Sequence, residues 1–242
     1  ACLVGSEMCI RDRSGQGDVS QFGALATALA ATIGTGNIVG VATAITLGGP
    51  GAVFWCWLTG VLGISTKYAE GLLAVKYRIR TPQGKMLGGP MYALERGMGM
   101  KWLAVLFCIF TVCASFGIGN LVQSNAISML CYETYRVPQA LTGTAVAVCV
   151  ALVVIFGVKG IARVCSAFVP LMAALYFLGC CYILWVNGGY VWEAVKLIVE
   201  SAFRPEAAGG GFVGGSVIMT ARYGIARGLF SNESGMGSAP IV

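Results

Sequence analysis

Two short stretches combine glycine with several polar side chains inside otherwise apolar surroundings. The first is Gly34-Thr35-Gly36-Asn37, in the middle of ALATALAATIGTGNIVGVATAITLG; the second is Ser231-Asn232-Glu233-Ser234, between Gly228 and the pair Gly235 and Gly237. Glycine in a helix interior costs about 1 kcal/mol relative to alanine, so each stretch makes local unwinding of a helix cheap. Unwinding leaves backbone groups for a ligand. Amides at a helix N-terminus carry partial positive charge and suit a carboxylate, while freed carbonyls and Thr, Ser and Asn oxygens suit Na⁺ or an ammonium group. The chemistry on offer is a grip on a small zwitterion and a hard cation. Bond-breaking chemistry is not indicated: there is no His, no Cys-x-x-Cys and no paired-carboxylate motif within the apolar runs, so the common zinc arrangements are missing and no cofactor or enzymatic activity is expected. Other glycines, such as Gly40, Gly60, Gly63 and Gly179, read as small residues that let helices approach closely.

These stretches need elements to hold them, and the composition says of what kind. The chain has 242 residues, 57% of them hydrophobic and 11% charged, whereas globular domains carry roughly a quarter charged residues. Such a chain cannot coat a soluble core with polar groups, and lipid is the solvent that removes the need. About 20 apolar residues span a bilayer. Spans are expected near Phe22 to Leu47, Ala52 to Val75, Trp102 to Leu130, Ala140 to Val158 and Ser166 to Val186, followed by a Gly-rich stretch from Gly209 and a sixth, interrupted element. Turn chemistry separates them at Gly48-Gly49-Pro50-Gly51, Thr81-Pro82-Gln83-Gly84, Gly88-Gly89-Pro90, Val137-Pro138 and Asn187-Gly188-Gly189. Both polar clusters then fall at membrane depth, where unwound backbone is tolerated only if buried in protein or lining a water-filled cavity. Two such interruptions, one opening each half of a repeated architecture, point to a transporter site.

The net charge of +6 is distributed as a topology signal, with no dense basic face for nucleic acid. One side carries Lys76, Arg78, Arg80, Lys85, Arg96, Lys101, Lys159 and Arg163 against Glu95; the other carries Arg136, Lys196 and Arg204 against Glu133, Glu193, Glu200 and Glu206. The positive-inside rule makes the first side cytoplasmic. Residues 190 to 203, YVWEAVKLIVESAF, are expected as an amphipathic helix at the outer interface. Of the ten cysteines, most fall inside apolar runs and read as packing residues. Residues 1 to 13, ACLVGSEMCIRDR, have no apolar core of signal-peptide length and are expected to be a non-native leader; the abrupt stop at Ala239-Pro240-Ile241-Val242 reads as a truncation, leaving 14 to 242 as a partial domain.

The strings ALAATIGTGNIVGVATAITLGGPGAVFW, TKYAEGLLAVKYR, GGPMYALERG, FGIGNLVQSNAI and GIARGLFSNESGMGSAPI resemble the alanine or glycine:cation symporter family, over residues 17 to 242. The resemblance implies an all-α, multi-pass protein of the bacterial inner membrane. It further implies the leucine-transporter-type fold of the amino acid-polyamine-organocation superfamily, with five plus five helices in inverted repeat and discontinuous first and sixth core helices. This chain would hold the first repeat of five helices and the opening helix of the second, so cation ligands from later helices would be missing and the piece alone should not transport. The implied activity is symport of alanine or glycine with Na⁺ or H⁺ by alternating access. A membrane channel or a non-transporting scaffold subunit is the rival reading, although a channel would need a continuous polar stripe rather than clusters at mid-depth.

At matching positions the resemblance implies that backbone around Thr35, Gly36 and Asn37 holds the substrate carboxylate, that Gln123 binds its polar end, and that Phe116 and Phe230 wall a pocket sized for a methyl group. Asn232, with Asn37 and Thr35, would meet a cation or the ammonium group, and Gly34 and Ser231 would add oxygens to the cation site. Glu233 is expected to pair with Arg227, and Lys67 with Glu70 at i and i+3. As a carrier of a coupling proton Glu233 would serve differently.

Overall fold

A computed structural model describes residues 20 to 83, 86 to 203 and 217 to 237; the side chains of Gln21, Ile118 and Gly119 are not described. The expected leader, the glycines from Gly209 and the last residues from Ala239 lie outside the described residues. The chain is mostly helical. Helix α1 spans Gln21–Thr32, α2 Thr35–Gly48, α3 Ala52–Lys76, α4 Lys101–Ala114, α5 Val122–Tyr135, α6 Gln139–Val154, α7 Gly157–Val186, α8 Gly188–Phe203 and α9 Val217–Asn232.

Among the described residues, three stretches are long and apolar enough to cross a membrane: Phe22–Gly48, Lys101–Tyr135 and Gly157–Val186. Helix α3 has the length, 25 residues, but carries Lys67, Glu70 and Lys76. Helix α6, at 16 residues, falls short of the ~20 needed to span straight. The expected fourth span ran on to Val158, and here sequence and structure part. The chain turns at Ile155 and Phe156, Gly157 takes φ 65, and α7 starts there. Lys159 and Arg163 therefore lie on its first turns rather than in a loop. Pro170 sits inside α7 without ending it.

Two features depart from a purely α-helical reading. Between α3 and α4 a hairpin pairs Ile79 with Leu87 and Arg80 with Met86, antiparallel, and Pro90–Tyr92 leads into a π-helical turn at Ala93–Gly97. The third long span is also not uniform: α4 and α5 are joined through seven π-helical residues, Ser115–Leu121. Elsewhere the turn chemistry acts as expected. Arg136 closes α5 in a left-handed conformation, φ 57, and Pro138 caps the start of α6.

Burial follows a pattern opposite to that of a soluble core. Among the described residues the buried apolar ones are alanines, including Ala26, Ala44, Ala52 and Ala202, with Val169 the exception, and Thr220 is the largest side chain that is fully buried. Large apolar side chains instead face outward, with Trp185 88% exposed and Ile218 78%. Small residues inside let backbones approach closely, and large ones outside are at no disadvantage in hydrocarbon. Together with three membrane-length helices, this marks a multi-pass membrane protein.

The chain divides into two compact units. One is built from Thr32–Lys67 and Val169–Met236. In it α9 packs along α2 and along the first part of α3, and the Gly49 to Gly51 turn closes on Ser201 and Ala202 at the end of α8. Trp55 Nε1 donates to the Ala202 carbonyl at 3.3 Å, and Phe203 meets the rings of Phe54 and Trp55 edge-on or tilted. The other unit contains Tyr68–Phe168. There α5 packs on α6 with Ser128 beside Gly143, Tyr77 covers Gly97, and Gly237 lies against Pro90 and Phe107.

Candidate functional site

The first polar cluster does interrupt its span. Helix α1 ends at Thr32, Ile33 and Gly34 are non-helical, and α2 starts at Thr35. Gly34 is extended, φ −150 and ψ −163, and caps α2 without a side-chain bond. The interruption thus sits one residue ahead of the expected polar run, and Thr35, Gly36 and Asn37 form the first turn of α2. A helix leaves its first amides outside its own hydrogen-bond ladder, and this turn is where a carboxylate would meet them.

Asn37 ties the two sides of the interruption together. Its side-chain Nδ2 donates to the Thr32 carbonyl at 2.6 Å, and its backbone amide donates to the Gly34 carbonyl at 3.1 Å. The first bond gives a donor to a carbonyl at the end of α1, where a helix runs out of its own amides. With Nδ2 engaged, the atom of Asn37 left for a cation is its acceptor, Oδ1.

The second cluster marks an end. Helix α9 stops at Asn232, Glu233 takes a left-handed conformation at φ 51, and Gly235 and Gly237 follow at φ 81 and 68. Ser231 and Asn232 therefore belong to the last turn of α9, where carbonyls lack intrahelical partners and carry partial negative charge. A cation is favoured there.

Helix α9 runs antiparallel to α2, one residue after another against the glycines of α2. A Cβ on Gly36 would stand 3.1 Å from the Phe230 ring, one on Gly40 3.5 Å from Arg227, and one on Gly48 3.1 Å from Tyr223. Thr220 Oγ1 donates to the Gly48 carbonyl at 2.8 Å and completes the row. The structure thus brings Phe230 onto the first turn of α2. It does not join the two asparagines: Asn232 Nδ2 lies beside Gly60 and Gly63 of α3, whereas Asn37 is bonded to Thr32. Arg227, expected beside Glu233, rests on Gly40.

Phe116 and Gln123 belong to the other unit. Phe116 lies in the π-helical segment and is 73% exposed; Gln123 is half-buried in the first turn of α5. A groove of about 870 Å³ runs between α5 and α6, with Asn120, Ser124, Asn125, Ser128 and Gln139 as its polar lining, but neither Gln123 nor Phe116 lines it.

Lys67 was missed as a site residue. Expected to pair with Glu70, its Nζ donates to the Glu233 carbonyl at 3.3 Å, and Ser234 Oγ donates to the Gly63 carbonyl at 3.1 Å. The sequence does hold a signal for this: Gly60, Gly63 and Lys67 fall on one helical face.

The model of the sodium:alanine symporter family matches residues 4–242. The chain belongs to that family. Among its relatives are an uncharacterized transporter of Haemophilus influenzae, 55% identical over 96% of this chain and 51% of that protein, and the sodium/alanine symporter AgcS of Methanococcus maripaludis, 47% identical over 96% of this chain and 51% of that protein. A more distant one, named a probable sodium/glutamine symporter GlnT of Bacillus subtilis, is 36% identical over 92% of this chain and 45% of that protein. The chain spans about half the length of the curated relatives it matches. The family is one of transporters rather than enzymes.

Proposed function

We propose that this sodium:alanine symporter family chain carries the two backbone interruptions that bind a small neutral amino acid together with Na⁺, in a bacterial inner-membrane transporter that works by alternating access. The supporting observation is the meeting of α2 and α9, with the Phe230 ring stacked on the first turn of α2 at Gly36. The N-terminal turn of α2 offers positive charge to a carboxylate, and the C-terminal turn of α9 offers negative charge to an ammonium or a cation. A zwitterion answers both at once. In this reading α1 with α2, and α9 with a helix beyond it, are the discontinuous first and sixth core helices of a five-plus-five inverted repeat.

In roles, the backbone around Thr35, Gly36 and Asn37 holds the carboxylate, with the Asn37 amide itself bonded to the Gly34 carbonyl; Gln123 adds a polar contact, and Phe230 and Phe116 limit side-chain size. Oxygens for Na⁺ are proposed at the first interruption, from Gly34, Thr35 and Asn37, and at the end of α9, from Ser231 and Asn232, two groups that would have to draw together to share one ion. Coupling follows if both ligands favour one state of the protein. The relative named for glutamine raises a second substrate; the Phe230 ring packed against the first turn of α2 supports the smaller substrates alanine and glycine.

The full-length protein reconstituted in proteoliposomes tests the reading, with Na⁺ and pH gradients varied separately. Saturable uptake of labelled alanine, competed by glycine and driven by inward Na⁺, is expected. Linear flux that never saturates would instead mark a channel, and uptake that follows pH with Na⁺ held equal would assign the coupling ion as H⁺.

A further inference from the structure

We infer that Lys67 is a positioning residue for the substrate and cation site: from the neighbouring helix α3 its ammonium holds the end of α9 in the shape that sets Phe230, Ser231 and Asn232. The inference rests on the transporter reading above.

Helices α3 and α9 run side by side in the same direction. Gly224 meets Ala52 and Trp55, Gly228 meets Thr59 and Cys56, and Asn232 meets Gly60 and Gly63. Past Trp55 the face of α3 that receives α9 is thus glycine and small side chains as far as Gly63, and then changes character. One turn on stands Lys67, half-buried, nine residues before the end of α3 at Lys76, which is about 14 Å along the helix. An ammonium this far into a membrane-length helix is costly unless bonded.

What it bonds is the turn that ends α9. Glu233 is left-handed at φ 51 without being glycine, a conformation that costs about 1–2 kcal/mol and persists where surrounding contacts impose it. Two contacts on α3 do so: Lys67 Nζ to the Glu233 carbonyl at 3.3 Å, and Ser234 Oγ to the Gly63 carbonyl at 3.1 Å, with Ser234 buried. No closer approach is open at Gly63, because even a Cβ there would come within 2.7 Å of Ser234 Oγ.

The ammonium also answers the electrostatics of the site. Carbonyls at the end of a helix present partial negative charge, and a cation from the protein at the outer edge of that end, on Glu233, leaves the carbonyls of the preceding turn as the place for a transported cation. Phe230 lies one turn before Glu233, so the height at which the turn is pinned to α3 is the height at which the ring meets Gly36. Lys67 acts through Glu233 and touches no ligand.

The experiment uses the full-length transporter with Lys67→Met, Lys67→Arg, Ser234→Ala and the Lys67→Met/Ser234→Ala pair, each checked for monodispersity. Half-saturating alanine and Na⁺ concentrations are read from proteoliposome uptake. Lys67→Met should raise the half-saturating alanine concentration about tenfold, the loss expected for a hydrogen bond with a charged donor. Lys67→Arg should recover most of it. Ser234→Ala should act in the same direction, and the pair should fall short of the product of the singles. Half-saturation unchanged in Lys67→Met overturns the inference, as does a shift that Lys67→Arg leaves unrecovered. Should Lys67→Met not fold, Ser234→Ala and Gly63→Ala carry the same test, and wild-type values in both overturn it. A second readout is independent of transport: the maleimide labelling rate of Met236→Cys in membranes should rise several-fold when Lys67→Met is added, and equal rates overturn the inference. If the parent protein moves no alanine with Na⁺, the transporter reading fails on its own, and the labelling rates still decide the role of Lys67.

Discussion

At the scale of single residues, the interruption of the first span is held open by one side chain more than by the glycines around it. Asn37 spans Ile33 and Gly34 with a 2.6 Å bond to the Thr32 carbonyl and a 3.1 Å backbone bond to Gly34. Asn37→Ala removes the first and leaves a carbonyl in the membrane without that donor, a loss of about 1–3 kcal/mol. A lower melting temperature for the purified full-length protein is the expected result, with weaker Na⁺ dependence of uptake if Oδ1 also meets the cation. Gly36 is a sharper probe of substrate size. Its missing Cβ leaves 3.1 Å to the Phe230 ring, so Gly36→Ala moves the ring by a few tenths of an ångström, and Gly36→Val moves it further. Alanine affinity should fall in that order while the yield of folded Gly36→Ala stays at the parent level; affinities equal to the parent in both would separate Phe230 from the pocket. Gln123→Ala should weaken alanine binding by ~1–3 kcal/mol, read as a rise in half-saturating concentration, and an unchanged value removes Gln123 from the site.

At the scale of elements, the row along which α2 meets α9 ends in a single buried hydrogen bond. Thr220, 1% exposed, donates its hydroxyl to the Gly48 carbonyl at 2.8 Å. Valine has nearly the same shape and no donor, so Thr220→Val should cost about 1 kcal/mol, seen as a melting temperature a few degrees lower with substrate affinity unaltered. Much of this scale was legible in the sequence. Apolar length gave α3 to within a residue of Ala52 to Val75, and the glycine and proline turns gave the ends of α2, α5 and α7, because membrane length and turn chemistry are local properties. The end of α9 at Asn232 could also be read, from polar residues crowded between glycines. Three things could not. The π-helical residues Ser115–Leu121 keep the same apolar character as the α-helix on either side, so hydropathy does not register one extra residue in a turn. The start of α7 at Gly157 was hidden by Lys159 and Arg163, which look like loop charges although helix ends at a membrane surface carry them equally well. Lys67 was assigned to Glu70 because i, i+3 neighbours are visible in a sequence, whereas the Glu233 carbonyl is 166 positions away and enters only through the packing of α9 on α3.

At the scale of the molecule, the uneven distribution of basic residues makes a claim about orientation. Lys76, Arg78, Arg80, Arg96 and Lys101 flank the hairpin and short helix between α3 and α4, and loops so charged stay in the cytoplasm. The connection from α7 to α8, at Asn187, then lies outside, with α7 long enough at 30 residues to cross between. Single cysteines at Gln83 and Asn187, placed in the full-length protein with its native cysteines replaced, separate the two sides. Cysteine at 187 should react with a membrane-impermeant maleimide in intact cells, and cysteine at 83 only after permeabilisation. The reverse pattern would invert the bundle. It would also place the α2 end of the first span, at Gly48 and Gly49, on the cytoplasmic face, so that the first turn of α2 would be approached from inside along α2 rather than from outside. Labelling of both positions in intact cells would mean an even number of crossings between them, as when α6, at 16 residues, does not cross, and the assignment of the basic clusters to one side would fail with it.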